Sequence, residues 1–180
     1  MKAIINPERL VSVPFNKTQC GVDFYINTGE SKDICGVLTE HKAFKTDFFS
    51  FYFFRRANGY LLLNFRKVEL RDGMVLLLSP HQQQEWHVNE VELDYTFSYF
   101  PRRLLCARSL LTSSSYIGCC IIIRLIHRPY LFAEPEELTE YMRLLKKIKQ
   151  ELTTPCGRHL QPHCVSAYYL LVLSTGIRLQ

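Results

Sequence analysis

Residues 48–54 of this 180-residue chain read Phe-Phe-Ser-Phe-Tyr-Phe-Phe, a run of aromatic rings that only Ser50 interrupts. Aromatic side chains pack well on a pleated surface, so the run predicts a buried β-strand. Asn58-Gly59 follows, and this pair is typical of tight hairpin turns, in which both central residues need a positive φ. Tyr60 to Phe65 would then be the return strand of a hairpin.

Further short strands are predicted along the first hundred residues, with Gly, Pro, Asn and Asp marking the turns between them. The clearest are Val68–Leu70, Met74–Leu78, Trp86–Val88 and Leu93–Phe100, with Arg71-Asp72-Gly73 as a turn. Weaker patterns predict short strands at Val11–Val13, Val22–Ile26 and Ile34–Leu38. Many short strands separated by closely spaced turns are typical of a β-barrel or a β-sandwich.

The C-terminal part is predicted to be helical. Pro135 suits the first turn of a helix, where its missing N–H costs nothing. One apolar stripe then repeats at spacings of three and four residues: Leu138, Tyr141, Leu145, Ile148 and Leu152. A second helix is predicted from Pro162 to about Ser174. The stripe is typical of two helices packed lengthwise, but it could equally cover the outer face of a barrel in the same chain.

These patterns divide the chain into three regions. Residues 1–101 form the β region, residues 102–133 a connecting segment, and residues 134–180 a helical hairpin. The connecting segment is ambiguous, because its apolar stretch Cys119–Ile126 is compatible with either a buried strand or a buried helix.

Composition excludes several classes of protein. The chain is 47% hydrophobic and 22% charged, with a formal net charge of +5, values that are ordinary for a globular domain. The basic residues are dispersed and accompany no nucleic-acid-binding motif, so direct DNA binding by this chain is not expected. The N-terminus resembles no secretory leader, which predicts a cytoplasmic protein. The seven cysteines are irregularly spaced and are interpreted as small core residues rather than as a disulfide framework.

Two other groupings of reactive residues resemble possible functional sites. Cys156, His159, His163 and Cys164 could supply four zinc ligands, but no Cys-x-x-Cys pair is present and Pro162 separates the histidines. Ser113–Ser115 lacks the Gly-x-Ser-x-Gly elbow of a nucleophilic serine. We therefore expect no catalytic residue, no bound metal and no cofactor.

Four stretches together resemble the sensing domain of bacterial AraC-type transcription regulators: Asp47-Phe48-Phe49, Asn58-Gly59, Leu70 to Pro80, and Trp86. The resemblance rests on strand order and turn chemistry. It implies a mainly β fold with C-terminal helices, namely a cupin-like jelly-roll β-barrel followed by an antiparallel helical pair. In this family the helical pair forms the dimer contact and leads to a DNA-reading helix-turn-helix domain, which this chain does not include.

The chain departs from that family at the histidines with which cupin enzymes hold a metal. Aligned on the resemblance, those positions hold Phe44, Thr46 and Gln84, which are poor ligands for a transition metal or none at all. Because alternate residues of a strand share a face, we expect one neutral pocket to be lined from two strands. The predicted ligand-binding residues are Thr46, Tyr52, Gln82, Gln84 and Trp86. The alternative is that these aromatic residues simply fill a small barrel.

The expected function is therefore that of a binding module rather than an enzyme: a ligand-sensing and dimerisation domain for a small, neutral, sugar-like effector. The expected partners are that effector and a second copy of the chain, with the stripe Leu138–Leu152 as the dimer interface. DNA would be contacted only through the helix-turn-helix domain. Two alternatives stay open, a metal-dependent cupin enzyme of the isomerase or dioxygenase type and a purely structural dimerisation domain.

Overall fold

A computed structural model describes residues 10–14, 27–34, 38, 43–101 and 129–153. In these residues the protein is mainly β, with two five-stranded sheets and one α-helix at the C-terminal end. The predicted Val22–Ile26 strand, the stretch Cys119–Ile126 and the predicted second helix lie outside the described residues. So do the four possible zinc ligands between Cys156 and Cys164.

Sheet A has the strand order β1-β3-β8-β5-β6. Its strands are β1 (Val11–Val13), β3 (Phe44–Thr46), β8 (Gln84–Val88), β5 (Gly59–Leu63) and β6 (Arg66–Glu69). Sheet B has the order β10-β7-β4-β9-β2. Its strands are β10 (Tyr130–Phe132), β7 (Met74–Leu78), β4 (Phe48–Arg56), β9 (Asp94–Pro101) and β2 (Asn27–Glu30). All pairings are antiparallel except that of β1 with β3.

The two sheets face each other across the larger of two apolar cores. Sheet A contributes residues such as Leu61 and Trp86, and sheet B contributes Tyr52, Leu76 and Tyr95. The prediction of a closed barrel is wrong for the described part of the chain, because no strand pairing joins the edges of one sheet to the other. Short strands with strong apolar faces bury those faces equally well as two stacked layers, so the alternation alone could not separate the two arrangements.

Strand β4 lies at the centre of sheet B and is buried on both faces from Phe48 to Phe54. Its even-numbered residues Tyr52 and Phe54 belong to the core between the sheets. Its odd-numbered residues Phe51 and Phe53 belong to the second core, on the other side of sheet B. This explains why the sequence of the strand is a continuous aromatic run rather than an alternation.

The predicted hairpin at Asn58-Gly59 is wrong. Strand β5, which follows it, pairs with β6 and β8 in sheet A, whereas β4 pairs with β7 and β9 in sheet B. Gly59 has a positive φ of 112°, but Asn58 is not among the residues with positive φ, so the pair does not form the two-residue primed turn. These residues instead carry the chain from one sheet to the other.

The tight hairpin of this region joins β5 to β6 at Asn64-Phe65, where both residues have positive φ, 48° and 66°. The Asn64 side chain accepts a hydrogen bond from the Gln83 backbone N–H at 2.9 Å, and the Asn64 N–H donates to the Gln83 carbonyl at 2.9 Å. Phe65 is 82% exposed. An aromatic residue in the left-handed region is strained, and here no packing compensates for the strain.

Helix α1 (Pro135–Thr153) begins at the predicted proline and packs on the outer face of sheet B. The second core joins four residues of the predicted stripe to the odd-numbered side of β4 and to β7: Leu138, Tyr141, Leu145 and Ile148. Edge strand β10, at the end of the predicted connecting segment, pairs with β7 and so extends sheet B. Within the described residues the molecule therefore has three layers: sheet A, sheet B and α1.

Two further details differ from the sequence-based expectation near the N-terminal end. Asn27–Glu30, which no pattern predicts, is edge strand β2 and pairs with β9. The residues that follow, Ser31–Ile34, form a 3-10 helix, which includes Ile34, the first residue of the predicted strand Ile34–Leu38.

Candidate functional site

Four of the five predicted ligand-binding residues lie buried between the sheets. Thr46 and Tyr52 are 4% and 3% exposed, and Gln84 and Trp86 are 0% and 6% exposed. Because Gln84 and Trp86 are two residues apart on β8, they share the face of sheet A that looks towards sheet B. The inward orientation expected from strand periodicity is therefore observed for these four residues, whereas ligand binding by them stays a prediction.

Gln82 does not belong to this group. It precedes β8, is partly exposed, and its side-chain Oε1 accepts a hydrogen bond of 2.7 Å from the backbone N–H of Ser79. His81, beside it, has a positive φ of 66°, and its N–H donates to the Thr46 carbonyl at 2.8 Å. The alternation of a strand does not extend through such a turn, so the side chain of Gln82 stabilises the turn.

Aromatic contacts join the sheets at the centre of the cluster. The Tyr52 ring meets the indole of Trp86 edge to face, with 5.2 Å between ring centroids. On the same face of sheet B, the Tyr52 hydroxyl lies 3.2 Å from the hydroxyl of Tyr99 on β9. Tyr99 also stacks on Phe97, with ring centroids 4.5 Å apart. Tyr99 is thus a residue of the cluster that the sequence interpretation missed, although the alternation of Leu93–Phe100 places residues 95, 97 and 99 on one face.

Both phenols of this pair hold their protons more tightly than an exposed tyrosine does. Desolvation raises the pKa of Tyr52 to about 12, against a smaller opposing effect of its hydrogen bond with Tyr99. Desolvation also raises the pKa of Tyr99 well above its usual value of 10. A phenol is uncharged near neutral pH, so each hydroxyl can both donate and accept a hydrogen bond.

Gln84 is the most unusual polar residue of the cluster. Its side-chain Oε1 accepts a hydrogen bond of 3.3 Å from the Trp86 Nε1–H. Its Nε2 is buried and has no hydrogen-bond partner among the described residues. A buried amide donor without an acceptor costs about 1–3 kcal/mol, so such a group needs a functional or structural reason.

The surroundings of Gln84 are neutral. The buried polar side chains of the described residues are Asn27, Thr46, Ser50, Gln84, Thr96 and Ser98, and none of them carries a charge. Phe44, which stands where the resemblance places a histidine, lies opposite Gln84 in the pairing of β3 with β8. The described residues also contain no group of three or more His, Cys, Asp or Glu side chains that could hold a metal ion.

The predicted dimer interface is occupied by the chain's own sheet. Leu138, Tyr141, Leu145 and Ile148 are 8%, 7%, 0% and 1% exposed, and all four pack in the second core. The Tyr141 ring contacts Phe53 of β4 with centroids 5.8 Å apart. Leu152, the fifth predicted residue, belongs to the same helix. The packing of the other four favours the alternative in which the stripe covers the sheet of the same chain.

No protein-family model matches this chain, and no curated protein matches it. Among solved structures, it is similar to the AraC-like transcriptional activator CuxR, with 11% sequence identity and a TM-score of 0.47. The match covers 73% of this chain but 42% of that protein, so the chain spans less than half of its length. A likeness of this degree does not define a function. No helix formed by the described residues has the length and apolar character that a membrane crossing requires.

Proposed function

We propose that this chain is the effector-sensing part of an AraC-type transcription regulator, and that it binds a small neutral molecule between its two sheets beside Gln84. The observation that carries the proposal is the fully buried Gln84 amide, whose Nε2 has no acceptor among the described residues. An unsatisfied donor lowers stability, and a ligand that supplies an acceptor recovers that free energy on binding.

The residues around this donor favour a particular ligand chemistry. Trp86 and Tyr52 offer ring surfaces, and the Tyr52–Tyr99 pair offers neutral hydroxyls. Binding sites that combine apolar rings with a few polar groups suit ligands with one apolar face and several hydrogen-bonding groups. Because no charged side chain is buried among the described residues, an ionised ligand would lose its hydration without compensation. A sugar-like molecule meets these requirements.

Strand β4 supplies a route from this ligand to the helix. Tyr52 faces the proposed site, while its neighbours Phe51 and Phe53 pack under α1 from the opposite face of the same strand. A ligand shifts the position of α1 only if it binds two arrangements of β4 with different affinity. The proposed output is a change at α1 that alters the placement of the DNA-reading domains of a homodimer. Because the apolar stripe of α1 packs against sheet B, we propose that the dimer contact uses another face of the helix.

A thermal-shift screen with neutral mono- and disaccharides, polyols and small amides tests the proposal. A compound that binds only the folded state at about 100 times its Kd adds roughly 2.7 kcal/mol, or about 5–10 °C in Tm for a chain of this size. In Gln84→Met, which keeps the side-chain volume and removes the amide, the same compound is expected to lose its effect. Gln82→Met is the matched control and should keep it.

Two outcomes contradict the proposal. If no neutral compound raises Tm, the structural dimerisation domain becomes the better account. If Gln84→Met responds as the wild type does, the ligand binds elsewhere. Metal analysis of the purified protein addresses the cupin enzyme, since a stoichiometric transition metal would favour that alternative.

A further inference from the structure

A groove of about 300 Å³ lies on the other side of sheet B, between helix α1 and strands β2, β4 and β9. We propose that this groove binds a small molecule with a single anionic group, a carboxylate or a phosphate, and that the bound molecule ties α1 to the sheet. The inference depends on the packing of α1 and not on the inner site. The volume of the groove is at the lower end of the range for small-molecule sites, about 300–1,000 Å³.

Four cationic side chains line the groove: Arg55 from the sheet, and Arg143, Lys146 and Lys149 from the helix. The two guanidinium groups are held in place by carboxylates. The Arg55 Nε–H donates to Asp94 at 2.7 Å, and its Nη1–H donates to the sulfur of Met142 at 3.2 Å. The Arg143 Nε–H donates to Glu140 at 2.7 Å. Fixed guanidinium groups lose less conformational entropy when they bind an anion than free ones do.

The charges of the groove and its rim almost cancel. Lys149 lies 2.6 Å from Asp33, and Glu30, the carboxylate that lines the groove, lies 2.6 Å from Lys32. Among the described residues, Lys146 is the lining cation for which no ion pair is found. One positive charge is therefore left over, which favours a ligand with a single anionic group: a carboxylate carries one negative charge and a phosphate about 1.5 to 2. The carboxylates at the rim would repel an extended polyanion such as nucleic acid.

Polar and apolar groups beside these cations can hold the rest of a ligand. Leu145 and Met142 provide apolar surface, and Thr28 and Thr96 line the wall formed by the sheet. The Thr96 side chain is 7% exposed, and the Thr28 hydroxyl donates a hydrogen bond of 2.8 Å to the Phe97 carbonyl. The wall therefore places threonine side chains beside the cations of the groove.

Isothermal titration of the full chain with inorganic phosphate and, separately, with butanoate tests the proposal at constant ionic strength. Phosphate represents phosphorylated ligands and butanoate represents carboxylates with an apolar tail, so their relative affinities identify the source of the anion. At least one probe should bind with a stoichiometry of one. Lys146→Gln should weaken binding about five-fold or more, because a charge-assisted hydrogen bond is lost. Lys147→Gln, on the same helix but outside the groove, should not.

Hydrogen exchange of the same samples tests the link between helix and sheet. Backbone amides of residues 139–149 should exchange more slowly with the bound probe than without it, and in Lys146→Gln this difference should shrink. The proposal is overturned if neither probe binds. It is also overturned if both lysine variants weaken binding equally, which would indicate general charge attraction, or if the exchange of α1 is the same with and without ligand.

Discussion

The ring of Tyr52 on β4 meets the indole of Trp86 on β8 edge to face, with 5.2 Å between centroids. The two residues belong to different sheets, so this contact fixes the spacing of the sheets beside the buried amide of Gln84. Edge-to-face pairs contribute about 0.5–1.5 kcal/mol beyond the area they bury. The cluster proposed to bind the effector therefore also contributes to the stability of the core.

Removal of one hydroxyl from the tyrosine pair should lower stability. Tyr52→Phe keeps the ring contact with Trp86 but leaves the hydroxyl of the partly buried Tyr99 without its 3.2 Å partner. We expect the free energy of unfolding to fall by about 1–2 kcal/mol, measured by urea denaturation. Tyr60→Phe, on the outer face of sheet A, is the control and should change it by less than about 0.5 kcal/mol. Equal effects of the two substitutions would show that the pair contributes nothing specific.

Alkaline pH should destabilise the fold through the same pair. Burial raises the pKa of Tyr52 to about 12 and that of Tyr99 above its usual value, whereas both ionise near 10 in the unfolded chain. The folded state thus holds these protons more tightly, so their contribution is fully present below pH 10. It is lost as the pH rises from 10 towards 12. Urea unfolding at intervals between pH 9 and pH 11.5 measures the loss, and in Tyr52→Phe the slope should be shallower.

Truncation of a residue between α1 and sheet B should lower the free energy of unfolding more than Tyr52→Phe does. Leu145 is fully buried between α1 and sheet B. Leu145→Ala removes its packing and leaves a cavity, so we expect a loss of about 2–5 kcal/mol in the free energy of unfolding. Lys147→Ala, an exposed position on the same helix, is the control and should stay near the wild-type value. A small loss in Leu145→Ala would contradict the packing of this helix on the sheet.

One substitution should stabilise the protein. Phe65 has a φ of 66° and is 82% exposed, so it adds strain to the hairpin and little packing. Phe65→Gly relieves a left-handed conformation that costs about 1–2 kcal/mol, partly offset by the larger entropy of glycine in the unfolded chain. We expect a net gain of about 0.5–1 kcal/mol by thermal unfolding. Val91→Gly, at an equally exposed position without positive φ, should instead be neutral or destabilising.

The sequence predicts single strands well and their partners poorly. Met74–Leu78 is observed with the predicted bounds, because a continuous apolar run has few other ways to be buried. The predicted hairpin after β4 is wrong, since Asn58-Gly59 suggests a local return strand, whereas β4 pairs with β7 and β9. Local sequence patterns indicate which faces of a strand are buried, but the strand with which it pairs depends on the complete fold.

The same limit applies to the candidate site and to the helix. Strand periodicity, anchored on the positions that the resemblance supplies, placed Tyr52 and Trp86 in one core, with Gln84 beside Trp86. It failed at Gln82, because the turn before β8 includes a residue with positive φ and interrupts the alternation. For α1, an apolar stripe with spacings of three and four fits a sheet as well as another helix, so the spacing could not identify its partner.

The sequence of strand β4 also affects the behaviour of the chain before folding is complete. Residues 48–54 carry no charge, no proline and no glycine, and in the folded protein all seven are buried. Such a segment is prone to intermolecular β-pairing whenever it is exposed in a newly made or partly unfolded chain. Asp47 on one side and Arg55-Arg56 on the other place charges at both of its ends, as gatekeeper residues do in aggregation-prone sequences. Neutralising these flanks should therefore reduce the yield of soluble protein even where it leaves the finished fold intact.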